Sequence, residues 1–140
     1  MRGCPYTCTY CAWGDDWLRA SNRFSLERVI SEIEYIAKKF ESSKNKFNGY
    51  LYLADSNFGM HRRDAEIASK IRECHDKYNW PSSIWATWAK NSNEKVIEIA
   101  SILKPLLQAG VTIAYESLDD KTLENVRRAN ISLEKFNKVR

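Results

Sequence analysis

The apolar positions Leu26, Val29, Ile30, Ile33, Ile36, Ala37 and Phe40 recur at helical spacing, which predicts an amphipathic helix over about 25–40. Ser25 stands where an N-cap is needed, and Glu27 falls in the first turn, where a carboxylate suits the helix dipole. Phe24 before the cap and Val29 inside the helix have the spacing of a hydrophobic staple. A charged connector, 41–48, follows. The short apolar run from Gly49 to Ala54, stopped by Asp55-Ser56-Asn57, predicts a parallel strand covered on both faces. A second helix is predicted over about 62–79 with Ala65, Ile67, Ala68 and Ile71 inward, and Pro81 closes the turn after it. Ser83–Ala89, rich in Trp and Ile, reads as a second strand. Residues 93–108 are helical in pattern, with Pro105 expected to kink or split the helix and Ala109-Gly110 to stop it. Val111–Tyr115 is the clearest strand pattern in the chain. Asp119 or Asp120 opens another helix, and Ile131-Ser132-Leu133-Glu134 repeats the staple-and-cap pattern of Phe24–Glu27 to open a last one.

Strands alternating with helices of this length place the chain in the α/β class, with right-handed βαβ units and a parallel sheet. The expected strand exits, at Asp55-Ser56-Asn57, Trp88-Ala89-Lys90-Asn91 and Glu116-Ser117, all carry polar groups directly after apolar runs. In a parallel (β/α) barrel those exits share one rim, where the site lies. The pattern shows no internal repeat, low-complexity tract or domain boundary, so residues 1–140 read as one domain. The net charge is +4 and basic residues are mixed with acidic ones, so nucleic acid is not indicated as a partner. No apolar run is long enough for a membrane span and no secretory leader is visible, which makes the cytoplasm the expected location.

The cysteines change this picture most. Cys4, Cys8 and Cys11 crowd the N-terminus in the spacing C-x3-C-x2-C, and Cys74 stands apart. Three thiols in one short loop make a poor disulfide framework, since only two of them could pair. Thiolates are the usual ligands of iron–sulfur clusters, and three so close can hold three irons of one cubane while the fourth stays open. Structural zinc would need a fourth ligand from Cys74, His75 or His61, giving a lopsided site. An iron–sulfur electron-transfer module is a further alternative, and it would need a fourth protein ligand such as Cys74.

The stretch Gly3-Cys4-Pro5-Tyr6-Thr7-Cys8-Thr9-Tyr10-Cys11, followed by Trp13-Gly14, resembles the cluster motif of the radical S-adenosylmethionine (SAM) superfamily, nearest its cobalamin-associated and methylthiotransferase-like branches. The resemblance implies a [4Fe-4S] cluster on Cys4, Cys8 and Cys11 whose open iron is chelated by the amino and carboxylate groups of SAM. It implies reductive cleavage of SAM, a radical reaction on an unidentified substrate, an electron donor such as flavodoxin or ferredoxin, and cobalamin in a further domain. It also implies a partial (β/α) barrel of the radical SAM type, truncated at both ends, and assigns cofactor contacts to Tyr10, Asp55, Ser56, Asn57, Glu116 and Ser117. Ala54-Asp55-Ser56-Asn57 departs from the Gly-Gly-Glu type of segment that binds the SAM amino group in the family, while Tyr115-Glu116-Ser117-Leu118 resembles its Glu-Ser pair.

Other residues have plainer readings. Cys74 is expected as a small buried hydrophobe, and His61 and His75 as surface residues. Arg127-Arg128 is expected on a solvated helix face and Lys90 in solvent. Of Trp85 and Trp88, one is expected against the helices and the other toward the barrel mouth.

Overall fold

A computed structural model of the chain describes residues 2–15, 17, 19–43, 49–91, 93–108, 110–132, 134 and 137. Most of the predicted connector, Ala109 of the predicted stop, and Leu133 with most of the last predicted helix lie outside them.

Helix α1, Leu26–Ser42, starts at Ser25, whose hydroxyl accepts from Arg28 N at 3.2 Å. The inward positions Ile33, Ala37 and Phe40 are buried. Val29 packs on the core, whereas Phe24 stays exposed under the Arg28 guanidinium, 4.1 Å from its ring centre. Helix α2, Arg63–Tyr78, buries Ile67, Ala68, Ile71 and Cys74 and ends at Asn79 in the left-handed conformation. Helix α3, Asn93–Leu103, gives way to a single 3-10 turn, Lys104–Leu106, at the proline that cannot continue an α-helical bond ladder.

Strands β1, Tyr50–Phe58, and β2, Ser83–Trp88, form a parallel two-stranded sheet in register from Tyr50↔Ser83 to Leu53↔Ala86. Helix α2 lies between α1 and α3, and the three share one core with Leu51, Leu53, Ile84, Ala86 and Trp88 of the sheet. The fold is therefore α/β with helices and parallel strands alternating along the chain; among the described residues the sheet does not close into a barrel.

Three expectations need correction. First, β1 is covered on one face, not both. Tyr50, Tyr52 and Trp85 point away from the helices, and Tyr52 stacks on Trp85 with ring centres 4.8 Å apart and planes within 10°. Trp88 is the tryptophan that packs inward, 5.8 Å from the Phe58 ring. Second, Asp55-Ser56-Asn57 does not end the strand but lies inside it. Between Leu53↔Ala86 and Phe58↔Trp88, β1 advances five residues while β2 advances two. A bulge of this kind bends a strand and re-aims its side chains, and such bulges collect beside functional sites.

Third, Val111–Tyr115 forms no strand. A strand needs a neighbour's ladder, and among the described residues this segment has none; side chains engage one carbonyl within it and one just beyond it. Ala114 O accepts from Arg128 Nη2 at 3.1 Å, and Ser117 O accepts from Asn130 Nδ2 at 2.8 Å. Helix α4, Asp120–Asn125, then begins as predicted: the Asp119 carboxylate accepts from the Thr122 hydroxyl at 2.6 Å and from Thr122 N at 2.7 Å, and these bonds hold the Asp119 pKa down.

After the bulge the chain turns at Gly59, whose φ of +94° favours glycine, and a Cβ there would stand 2.9 Å from Val96 Cγ2. The buried Asp64 carboxylate holds this turn, accepting from Gly59 N at 3.0 Å and His61 N at 2.9 Å. His61 and His75 are half-buried rather than on the surface. Burial, helped by the Arg23 charge, lowers the His61 pKa. His75 Nδ1 lies 2.8 Å from Pro81 O, and since a carbonyl can only accept, that nitrogen carries the proton. Among the described residues no helix is long and apolar enough to cross a membrane.

Candidate metal centre

The cysteine loop is fastened to the body at separate points. At its base Arg2 and Asn22 exchange two backbone hydrogen bonds, of 2.9 and 2.8 Å. In its middle Thr9 N donates to Val126 O at 3.1 Å, and Cys11 N closes a turn on Cys8 O at 3.2 Å. The bulge of β1 supplies the rest. Ser56 Oγ donates to Gly3 O at 2.9 Å, and Asn57 Nδ2 lies 3.4 Å from Cys4 Sγ. Asp55 Oδ1 accepts from Asn57 N at 2.9 Å, which fixes the backbone of the bulge.

None of the three loop cysteines is in a disulfide; Cys4 and Cys8 are buried and Cys11 is half-buried. Cys4 and Cys11 line a concavity of about 780 Å³ whose walls include Trp13, Trp17, Tyr52, Asp55, Ser56, Thr87 and Lys90. Among the described residues no three His, Cys, Asp or Glu side chains gather as ligands of a single metal ion. The thiolates of a cubane sit on different irons and so are spread more widely than the ligands of one ion. Three unpaired thiols in one loop beside an open concavity fit such a donor set. Cys74 lies elsewhere, in the core contributed by α2, where burial pushes its thiol pKa up.

Of the residues expected at the site, the fold brings Cys4, Cys11, Asp55 and Ser56 onto one concavity, with Cys8 and Asn57 buried in or beside the loop. Tyr10 is largely exposed, and partial burial raises its phenol pKa, with Arg128 opposing and Glu116 and Cys8 adding. Glu116 and Ser117 are not among the residues lining that concavity. Ser117 Oγ accepts from Asp119 N at 3.1 Å at the entry to α4, and Glu116 Oε1 lies 3.3 Å from Arg128 Nη2.

Arg128 corrects the expectation of a solvated Arg-Arg face. Its side chain is 1% exposed. Helix α4 ends in a Schellman arrangement: Arg127 takes the left-handed conformation at φ 52°, Arg127 N donates to Glu124 O, and Arg128 N donates to Leu123 O. That turn sends the next side chain inward. Arg128 Nη2 reaches Ala114 O and Glu116, Nε reaches Asn130 Oδ1 at 3.4 Å, and the buried Nη1 has no partner in the structure. No glycine marks this helix end, so the sequence carried no sign of it. Tyr6 was also missed. It is half-buried under Lys90, whose Nζ lies 5.7 Å from the ring centre, and burial, reinforced by Cys4 and opposed by Arg128, raises its phenol pKa. Lys90 thus lies at the wall of the concavity and not simply in solvent.

No protein-family model matches the chain. Over 139 residues, 99% of the chain, it is 34% identical to the cobalamin-dependent radical SAM methyltransferase TokK of Streptomyces tokunonensis. Over the same length it is 36% identical to the 2-(S-pantetheinyl)-carbapenam-3-carboxylate methyltransferase of Streptantibioticus cattleyicolor. It is 26% identical over 148 residues to the bacteriochlorophyllide d C-8(2)-methyltransferase of Chlorobaculum tepidum. The chain spans 19% of the length of the first two proteins and 30% of the third.

Proposed function

We propose that this chain is the cluster- and SAM-binding part of a radical SAM methyltransferase, in which its two-stranded sheet is a segment of a (β/α) barrel. The observation that carries the reading is the set of three unpaired cysteines on one anchored loop, two of which line a concavity walled by the bulge of β1. The likeness along the whole chain to proteins named as methyltransferases, one of them as a cobalamin-dependent radical SAM enzyme, supports it. Cys4, Cys8 and Cys11 would hold a [4Fe-4S] cluster. When bound, the cluster supplies the electron that cleaves SAM into methionine and a 5′-deoxyadenosyl radical.

The chain's own residues have definable tasks in this reading. Ser56 holds the Gly3 carbonyl, so the start of the loop cannot swing away from β1. Asp55 locks the bulge and lines the concavity, where its carboxylate would face the amino group of SAM. At about 780 Å³ the concavity has the size of a ligand site, which commonly runs to roughly 300–1,000 Å³. Glu116, Ser117 and Tyr10 remain assigned to the SAM side of the site, with Glu116 oriented by Arg128. We assign the methyl acceptor, the electron donor and cobalamin to regions beyond the aligned fifth of the relatives.

Metal analysis tests this reading against a zinc module. Anaerobic reconstitution with iron and sulfide, zinc present in competition, is expected to give about four irons and four sulfides per chain, as a single cubane requires. Zinc bound in place of iron would overturn it.

A further inference from the structure

Resting on the reading of Cys4 as a cluster ligand, we propose that Asn57 is a positioning residue that donates an N–H···S hydrogen bond to the Cys4 sulfur and thereby raises the reduction potential of the cluster. The family resemblance groups Asn57 with residues that contact SAM. The structure gives it another neighbour, since its Nδ2 lies 3.4 Å from Cys4 Sγ. The amide is 1% exposed, so water does not compete for that bond.

The placement is built by the bulge. Asp55 Oδ1 holds the Asn57 backbone N–H, and Ser56 Oγ holds the Gly3 carbonyl next to Cys4. Two successive residues of β1 thus grip the two successive residues that open the cysteine loop. The amide's orientation follows from charge. A thiolate can only accept, so the NH₂ end must face it, because the oxygen would set lone pairs against lone pairs. The other end shows the consequence: Asn57 Oδ1 is buried with no hydrogen-bond partner among the described residues. An apolar residue of the same size would spare the fold that unsatisfied acceptor. The asparagine is therefore a poor choice for packing alone and a good one for a sulfur.

The effect has a definite sign. One-electron reduction adds negative charge that is shared by the cluster sulfurs. A donor N–H aimed at one of them stabilises the reduced form more than the oxidised form, and low local polarity strengthens the effect. Removing the donor must make the cluster harder to reduce.

The test compares the chain as it stands with Asn57→Leu and Asn57→Asp. Each is reconstituted anaerobically, its iron and sulfide are counted, and its midpoint potential is titrated with redox dyes. All three are expected to hold the same iron, with both variants shifted to more negative potential and Asn57→Asp shifted further. An unchanged or more positive potential in a loaded variant would overturn the proposal. So would loss of the cluster in both variants with an intact circular dichroism spectrum, which would make Asn57 an assembly residue. Should Asn57→Leu fail to fold, the isosteric Asn57→Asp carries the comparison alone. Failure of the unsubstituted chain to hold iron is a different result, and it removes the cluster reading itself.

Discussion

Replacing any one of Cys4, Cys8 and Cys11 by Ala is expected to abolish cluster assembly, while Cys74→Ala leaves the iron content unchanged. Cys4 and Cys11 line the concavity, Cys8 is buried in the same loop, and each would bind a different iron, so none can substitute for another. Cys74 sits in the helical core with Ile71 and Ile33, and its burial-raised pKa keeps it a thiol. Its replacement removes one buried sulfur, a core truncation that costs on the order of 1 kcal/mol. Iron and sulfide counts on the four variants separate the readings cleanly. An electron-transfer module with four protein ligands predicts that Cys74→Ala also empties the site. Full iron content in Cys8→Ala would count against the loop as the ligand set.

The second large effect is expected at Arg128. Arg128→Ala should lower the free energy of unfolding by about 2–4 kcal/mol, because it removes a fully buried side chain and strands the groups it bonds. Ala114 O loses its donor, Asn130 Oδ1 loses Nε, and the 111–117 segment loses a tie to the end of α4. Glu116→Ala should cost under about 1 kcal/mol, since Glu116 is 42% exposed and water takes over from the guanidinium. Urea denaturation of the two variants measures this asymmetry; equal costs would mean that the ion pair, not the burial of Arg128, holds the segment. The same substitution should loosen the cysteine loop, because Val126, which accepts from Thr9, lies two residues from Arg128.

These residues also show where the sequence was readable. Helices α1, α2 and α3 carry boundaries in local signals: the Ser25 cap, the turn closed by Pro81 and the break at Pro105. Strand β2 and the inward positions of α2 follow from periodicity and burial alone. The grouping of three thiols in one loop was legible because their spacing is a property of the chain itself. The failures share another cause. Val111–Tyr115 has the composition of a strand, but pairing depends on a neighbour that composition cannot name, and here Arg128 takes the Ala114 carbonyl while Asn130 takes that of Ser117 just beyond. The bulge in β1 depends on the register against β2, so Asp55-Ser56-Asn57 read as an exit when it is a kink within the strand. Arg128 looked solvated because nothing in a run of two arginines reveals that the first adopts the left-handed turn that buries the second. In each case the missing information was tertiary.

The central claim is that the loop holds a cluster with an iron open to SAM. Its most direct measurement is the EPR spectrum of the anaerobically reconstituted, reduced chain, recorded with and without SAM. The expected result is a reduced [4Fe-4S] signal whose shape changes on adding SAM, as a new ligand reaches the open iron. A cluster signal indifferent to saturating SAM would contradict it.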